Sequence, residues 1–337
     1  MAGKNSHPVI KDVAACAGVS VSTVSRFLNN SPRLSEESKE KIARAIELLG
    51  YRPSSIARGL VNSRIKTIAI LSTNTTLLGS ALAIEGIEDE ARSQDYSVMI
   101  TRLDGDTPED LKRSVDLVLD LNPSGIVLLK YDDKAEIARR LIPENVPLVV
   151  IGGTPETMID QVSLNEYEGG REITEYLLGL GHPTVHHLRI PIRSEGNSRT
   201  DGWEAALKAR GVPVPQMLET TWRPQDARAI GEKLAADKSV SAIFAGNDEI
   251  AMGVIRGLTD HGVRVPEDVS VVGFDDHMLA QIWKPGITTM RQNFAQAGRE
   301  AVKALLRRLR EPDAPSHTIS VPGTLVYRES AARYRPR

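Results

Sequence analysis

The chain has 337 residues, 41% hydrophobic and 26% charged, and a net charge of −2. That is a globular composition, at a length beyond one ordinary domain. The single cysteine, Cys16, excludes an intrachain disulfide and a cysteine-rich metal site, so neither a metal nor a cofactor is expected. No apolar run approaches the ~18 residues of a membrane span, and residues 1–8 lack the apolar stretch of a signal peptide. Together these predict a cytoplasmic protein with no membrane partner. The charge is uneven: residues 1–63 hold nine Lys or Arg and five Asp or Glu, a net of +4, while the remainder nets −6. A basic head on an acidic body fits a head that meets phosphates.

In the head, Val13, Ala14 and Ala17 share one face of a helix expected from Ile10 to Ala17, and Cys16 reads as a small buried hydrophobe within it. Gly18 supplies the backbone angles of a sharp turn, and Ser20 is placed to cap a second helix. Val24 and Leu28, at i and i+4, face inward with Phe27 beside them. Val21, Ser22, Ser25 and Arg26 then point outward. Small polar residues at a helix start with an arginine one turn on suit a DNA major groove. Arg26 offers two donors to a guanine edge, and the Ser22 and Thr23 hydroxyls suit a base edge or a phosphate. Ser35 should cap a third helix, followed by Glu36 and Glu37 at its positive end, with Ile42, Ile46 and Leu49 buried and Gly50 closing it. Residues 1–52 are therefore read as an all-α helix-turn-helix DNA-binding domain.

Residues 53–65 read as a hinge and linker. Ile56-Ala57-Arg58-Gly59-Leu60 is too short for an isolated helix, which needs ~12–15 residues. It would order only with DNA and a second copy present. Ala57 lets two such segments pack closely, and Arg58 can meet phosphate.

From Lys66 the pattern becomes short apolar runs alternating with amphipathic helices. Strands are expected at 67–71, 96–101, 125–129 and 147–151, with helices at 81–94, 109–121 and 134–141 between them. The alternation restarts with helices at 167–180, 199–210, 225–236 and 249–261 and strands at 185–190, 217–220, 242–246 and 269–274. A helix at 294–308 and a strand at 321–327 end it. Repeated βαβ units predict a parallel sheet covered on both faces. The restart predicts two doubly wound α/β lobes over residues 66–330, serving ligand binding and dimerisation, with a cleft at the carboxyl ends of the strands. Thr73 and Asn74, Asn247 and Asp248, and Asp275 and Asp276 follow strands, and Arg199 sits near a helix start. Asp248 reads first as a helix cap and Asp276 as a loop brace. Amides, carboxylates and an arginine can hold several hydroxyls at once, and Trp222 and Phe294 can stack on the apolar face of a sugar ring. His186 and His187 read as structural, and His182 as the cap of a helix end. No phosphate loop with Lys-Ser/Thr, HExxH or GxSxG is present, so an enzyme is not expected.

"IKDVAACAGVSVSTVSRFLNN" with "GYRPSSIARGL", and further on "RTDGW", "TTW", "IFAGNDEIAMGVIRGLTDHGVRVPEDVSVVGFDD" and "TTMRQNF", resemble the lac repressor/galactose repressor family. The likeness spans residues 9–330. It implies a periplasmic-binding-protein-like core and a homodimer reading two operator half-sites. Val21, Ser22 and Arg26 would contact bases, with Thr23 and Ser25 nearer the backbone. Leu60 would wedge between base steps in the minor groove. The implied effector contacts are Arg199, Trp222, Asn247, Asp275, Gln292 and Phe294, with Thr73 and Leu77 from the first lobe. Gly152-Gly153 stands where the lac repressor carries an acidic residue, and the loop Asn74–Ser80 also departs from many members. The resulting expectation is a repressor of carbohydrate-utilisation genes released by a mono- or disaccharide. The alternatives are a regulator answering a nucleobase or a protein corepressor, and a sugar receptor without DNA activity.

Overall fold

The computed structural model describes residues 8–28, 34–51, 66–154, 156–191 and 198–336. The chain divides into two compact units between Ile65 and Lys66. In the first, helices α1 (Ile10–Ala17), α2 (Val21–Leu28) and α3 (Glu36–Leu49) enclose a small core of Val13, Ala14, Ala17, Val24, Ile42, Ala45 and Tyr51. Gly18 takes φ +66° and donates its N–H back to α1, turning the chain sharply enough for α2 to begin three residues later. Ser20 Oγ accepts from the Thr23 backbone at 3.1 Å, and Ser35 caps α3 through Ser38. Cys16 differs from expectation and is exposed. Val13, Ala14 and Ala17 define the inward face, and the helical turn of about 100° per residue carries position 16 to its outer edge.

The second unit holds two sheets. The first is built from β1 (Thr67–Ser72), β2 (Ser97–Arg102), β3 (Gly125–Leu129), β4 (Leu148–Ile151), β5 (Asp160–Ser163) and β11 (Thr318–Ser320), in the order β11-β5-β4-β3-β1-β2 with every pairing parallel. Helices α4 (Leu78–Ser93), α5 (Pro108–Asp120), α6 (Asp133–Leu141) and α11 (Phe294–Arg310) cover its faces. The second is built from β6 (His186–Arg189), β7 (Leu218–Glu219), β8 (Ala242–Ala245), β9 (Ser270–Asp275), β10 (Thr288–Arg291) and β12 (Thr324–Val326), in the order β12-β10-β9-β8-β6-β7. Only β12, against β10, is antiparallel. Helices α7 (Glu166–Gly179), α8 (Arg199–Arg210), α9 (Pro224–Leu234) and α10 (Asp248–Asp260) pack on it.

The chain passes between the sheets after β5, after β10 and after β11, so each lobe is closed by segments distant in sequence. The expected doubly wound lobes are present, but β5, β10 and β11 had no counterpart in the expected strands. Within the run expected at 321–327 only β12 is a strand; β11 ends just before it at Ser320, in the other sheet, with Pro322-Gly323 between the two. β5 and β10 are short and largely polar. Asp160 in β5 is buried because Arg308 Nε and the His317 backbone bond to it at 2.8 and 3.1 Å. Thr288 in β10 is buried because its hydroxyl donates to the Arg328 carbonyl at 3.1 Å. A buried polar group costs little once hydrogen-bonded, so a strand of this kind carries no hydropathy signal.

His182 also differs from the helix-end cap expected of it. Its buried ring lies between Ser241 Oγ and Ser270 Oγ, 3.1 Å from each.

Candidate functional site

In the first unit, α2 buries Val24 and leaves Val21, Ser22 and Arg26 exposed, with Thr23 and Ser25 half-buried. Ser20 Oγ stands 2.8 Å from Ser22 Oγ and 2.7 Å from Thr23 Oγ1, so the capping serine also orients the first two hydroxyls of the exposed face. Ala57, Arg58 and Leu60 lie outside the described residues.

In the second unit a cleft of about 450 Å³ opens where strand ends of the two lobes face one another. The first lobe contributes Leu77, Leu78 and Gly79 at the start of α4, Tyr131 after β3, and Phe294 at the start of α11. The second contributes Glu166 opening α7, Ile190 after β6, Arg199 opening α8, Trp222 before α9, Asn247 and Glu249 around the start of α10, and Asp275 ending β9. All sit at carboxyl ends of strands or at the helix starts that follow, as open α/β sheets require.

Arg199 organises the polar wall. It is only 5% exposed, and it reaches this depth because α7 and α8 touch through glycines. A Cβ at Gly170 would fall 2.1 Å from the Arg199 carbonyl oxygen, and one at Gly202 2.0 Å from that of Tyr167. The guanidinium donates to the Gly246 carbonyl at 2.5 Å and to Glu166, stands 3.5 Å from Asp275 Oδ1, and lies 4.1 Å over the Phe274 ring. Burial pushes the Asp275 carboxyl up to about 7; Arg199 pulls the other way, and Glu249 and Glu166 add to the rise. Near neutral pH that carboxyl is available both as donor and as acceptor. Burial likewise raises the Tyr131 phenol, which therefore stays protonated and donates. Asp275 holds φ +95°, a conformation few side chains adopt, of the kind that concentrates at functional sites.

Four buried polar atoms of residues lining this cleft have no hydrogen-bond partner: Arg199 Nε, Tyr131 Oη, Glu249 Oε2 and Asp275 Oδ1. Each such atom costs ~1–3 kcal/mol. Their convergence on one cavity marks a place where a guest completes the bonding, with Trp222 and Phe294 as its apolar walls.

Of the expected cleft residues, Leu77, Arg199, Trp222, Asn247, Asp275 and Phe294 line the cavity, whereas Thr73 and Gln292 do not. The Thr73 hydroxyl is taken by Asp132, whose other oxygen caps α6. Gln292 lies on the crossing between β10 and α11, buried beside Gly323 with both amide atoms unpartnered. Asn247, not Asp248, caps α10, accepting from the Ile250 backbone at 2.8 Å. Asp248 is buried and accepts from the His277 backbone at 2.5 Å. Asp276 braces its loop as expected, held by Arg291 and Arg328 at 2.7 Å each. Tyr131, Glu166, Glu249 and Ile190 were not anticipated. Tyr131 and Ile190 fall just past β3 and β6, where the strand-end rule would have found them.

Residues 9–54 match bacterial regulatory proteins of the lacI family, and residues 174–331 match a periplasmic binding protein-like domain. The HTH-type transcriptional repressor PurR of Vibrio cholerae is 30% identical over 327 residues, covering 95% of this chain and 97% of that protein. The chain belongs to the lacI family. Two solved structures are also similar. The lac repressor dimer bound to operator and the anti-inducer ONPF is 27% identical, with a TM-score of 0.89 over 97% of this chain and all of that one. The complex of the transcriptional regulator CelR with cellobiose is 28% identical, with a TM-score of 0.72 over 96% of this chain and all of that one. As a lacI-family protein the chain is a DNA-binding transcriptional regulator, built as a helix-turn-helix head joined to a two-lobed α/β core. Among the described residues no helix is long and apolar enough to cross a membrane.

Proposed function

We propose that this lacI-family protein is a repressor that binds operator DNA as a homodimer through the exposed face of α2, and that a sugar in the interlobe cleft sets its affinity for that DNA. The observation that carries the effector reading is the composition of the cleft. Trp222 and Phe294 offer flat apolar faces, while Arg199, Asn247, Glu249 and Asp275 offer donors and acceptors around them. A sugar ring has that same division, apolar on its faces and hydroxylated at its rim. A structural relative of known ligand, CelR, is in complex with cellobiose. The lac repressor relative, bound to operator, is a dimer. A ligand acts on DNA binding only through a difference in its affinity for the two states of the protein.

A second reading, a nucleobase in the same cleft, is favoured by the aromatic walls, which stack on any flat ring, and by a sequence relative being a PurR repressor. One experiment separates the two: a thermal-shift screen of the full chain against monosaccharides, disaccharides and nucleobases, followed by gel shifts on genomic fragments with each hit. The sugar reading requires that sugars raise the melting temperature, that Asp275→Ala abolishes the rise, and that the same sugars change operator occupancy. A shift produced by nucleobases alone overturns it.

A further inference from the structure

Asp248 is the first residue of α10 and is fully buried, yet it does not line the cleft. Its neighbours on either side, Asn247 and Glu249, do. Its Oδ2 accepts from the His277 backbone N–H at 2.5 Å. The Thr289 hydroxyl, buried on β10, bonds to the same carboxyl and accepts in turn from the Asp276 N–H at 3.3 Å. Two consecutive N–H groups, of Asp276 and His277, are thus tied to one acid, one directly and one through Thr289.

Those N–H groups belong to the turn that follows β9. Asp275 and Asp276 take φ +95° and +59° in succession, and left-handed residues with side chains persist only where their surroundings fix them. The Asp276 carboxylate is fixed by Arg291 and Arg328 at 2.7 Å each. That anchors a side chain, while the backbone around it is held by Thr289 and Asp248. The Asp275 carboxyl is less firmly held, with the Arg199 guanidinium 3.5 Å from Oδ1, so its aim into the cleft depends on the backbone that carries it. β9 is shaped to admit the clamp. A Cβ at Gly273 would fall 2.0 Å from Asp248 Oδ1, so a glycine is needed for the carboxyl to lie against the strand. Burial raises the Asp248 carboxyl well above its ordinary pKa, and the Thr289 and His277 bonds oppose the rise. An apolar residue would avoid that desolvation, but it could not hold an N–H group.

We infer that Asp248 is a positioning residue of the effector site. By tying the start of α10 to the turn after β9, it holds the left-handed Asp275–Asp276 pair and fixes the Asp275 carboxyl relative to Asn247 and Glu249. This role rests on the interlobe cleft being the effector site, whichever compound fills it.

A mutant cycle on the full chain, with no effector present, tests this. Asp275→Asn should gain on the wild type in urea-unfolding stability between pH 4 and 7, because the turn keeps the Asp275 carboxyl buried among Arg199, Glu166, Glu249, Tyr131 and Asp248. The same substitution is then made in Asp248→Ala and in Asp248→Asn. In Asp248→Ala the turn relaxes, the Asp275 carboxyl reaches water and the gain disappears. Asp248→Asn removes the charge but keeps an acceptor for the His277 N–H, so the gain persists. An Asp248 that merely supports the fold would lower stability equally with and without the Asp275 carboxyl. The gain would then survive in both backgrounds, which overturns the inference. A gain lost in both overturns it too, since Asp248 would then act through its charge. So does a gain absent from the wild-type chain, where the carboxyl would not be held out of water. If Asp248→Ala does not fold, Thr289→Val takes its place with the same expected loss, because it removes the Asp276 anchor without changing charge, and Thr289→Ser should restore the gain. No sugar enters the cycle, so its result stands apart from the thermal-shift screen, and either can fail without the other.

Discussion

Arg199 Nη1 stands 3.5 Å from Asp275 Oδ1, too far for a strong hydrogen bond yet close enough for the opposite charges to act on one another. That spacing leaves the Asp275 carboxyl dominated by its burial, at about 7 against an ordinary 3.8. Because the folded value is raised, the ionised carboxyl disfavours the fold. The penalty is absent below about 4, grows as pH rises, and is complete above 7, where it amounts to roughly 4 kcal/mol at most. Asp275→Asn should gain on the wild type in urea-unfolding stability from pH 4 to 7 and hold that gain at higher pH. A stability difference that stays flat across this range would show that the carboxyl is not held neutral.

His187 makes the opposite prediction. Its ring is fully buried, stacked 4.5 Å from the Phe244 ring, and bonded to the Phe244 carbonyl at 2.9 Å and to Thr200 Oγ1 at 3.0 Å. Burial lowers its pKa to about 4; the carbonyl bond opposes this, and Arg199 and Arg189 add to it. A lowered histidine keeps its stability above 6.5 and loses it as pH falls toward 4, by roughly 3 kcal/mol. His187→Phe should be less stable at neutral pH, since it drops two hydrogen bonds, but it should shed this acid-side loss. Unfolding curves at pH 7, 6, 5 and 4 measure it, and parallel losses in both proteins would contradict it.

The parallel sheets were legible from Lys66 onward because β1 and β3 are buried runs, all but the first residue apolar in "TIAIL" and "GIVLL". β5 and β10, "DQVS" and "TTMR", were not legible, because what makes them core is the set of distant partners that satisfy Asp160 and Thr288. The strand-end rule and the family resemblance between them marked Arg199, Trp222, Asn247 and Asp275, and the structure brings these four together. Glu166 escaped because it lies on a crossing between lobes, where no local pattern points inward. Thr73 had the right address, but Asp132, fifty-nine positions on, takes its hydroxyl.

The wall of the cleft can be moved without removing a polar group. A Cβ at Gly79 would fall 2.7 Å from Phe294 Cε1, so Gly79→Ala must push aside the ring, which also makes an edge-on contact with Tyr131 at 6.3 Å between centroids. Alanine favours helix α4 by ~1 kcal/mol over glycine, while overpacking costs ~1–3 kcal/mol. The net change in stability is therefore small, and the visible effect should fall on binding. Affinity for the ligand identified by the screen should drop about tenfold, the weight of one displaced aromatic wall. Titration calorimetry on both proteins reads it, and equal affinities would mean that Phe294 is not a wall of the binding site.

On the DNA side, Arg26 and Ser20 should fail in different ways. Arg26 is exposed on α2 and free to reach a base edge, so Arg26→Ala should weaken operator binding by ~1–3 kcal/mol and relax discrimination at one base pair. Ser20 touches no base in this reading. It caps α2 and orients Ser22 and Thr23 through contacts of 2.8 and 2.7 Å. Ser20→Ala should cost the head about 1 kcal/mol of stability and weaken binding evenly across operator variants. Gel shifts against a panel of single-base-pair operator substitutions distinguish a position-specific loss from a uniform one. If Arg26→Ala lowers affinity uniformly, the arginine serves the phosphates, and the reading of bases passes to Val21 and Ser22.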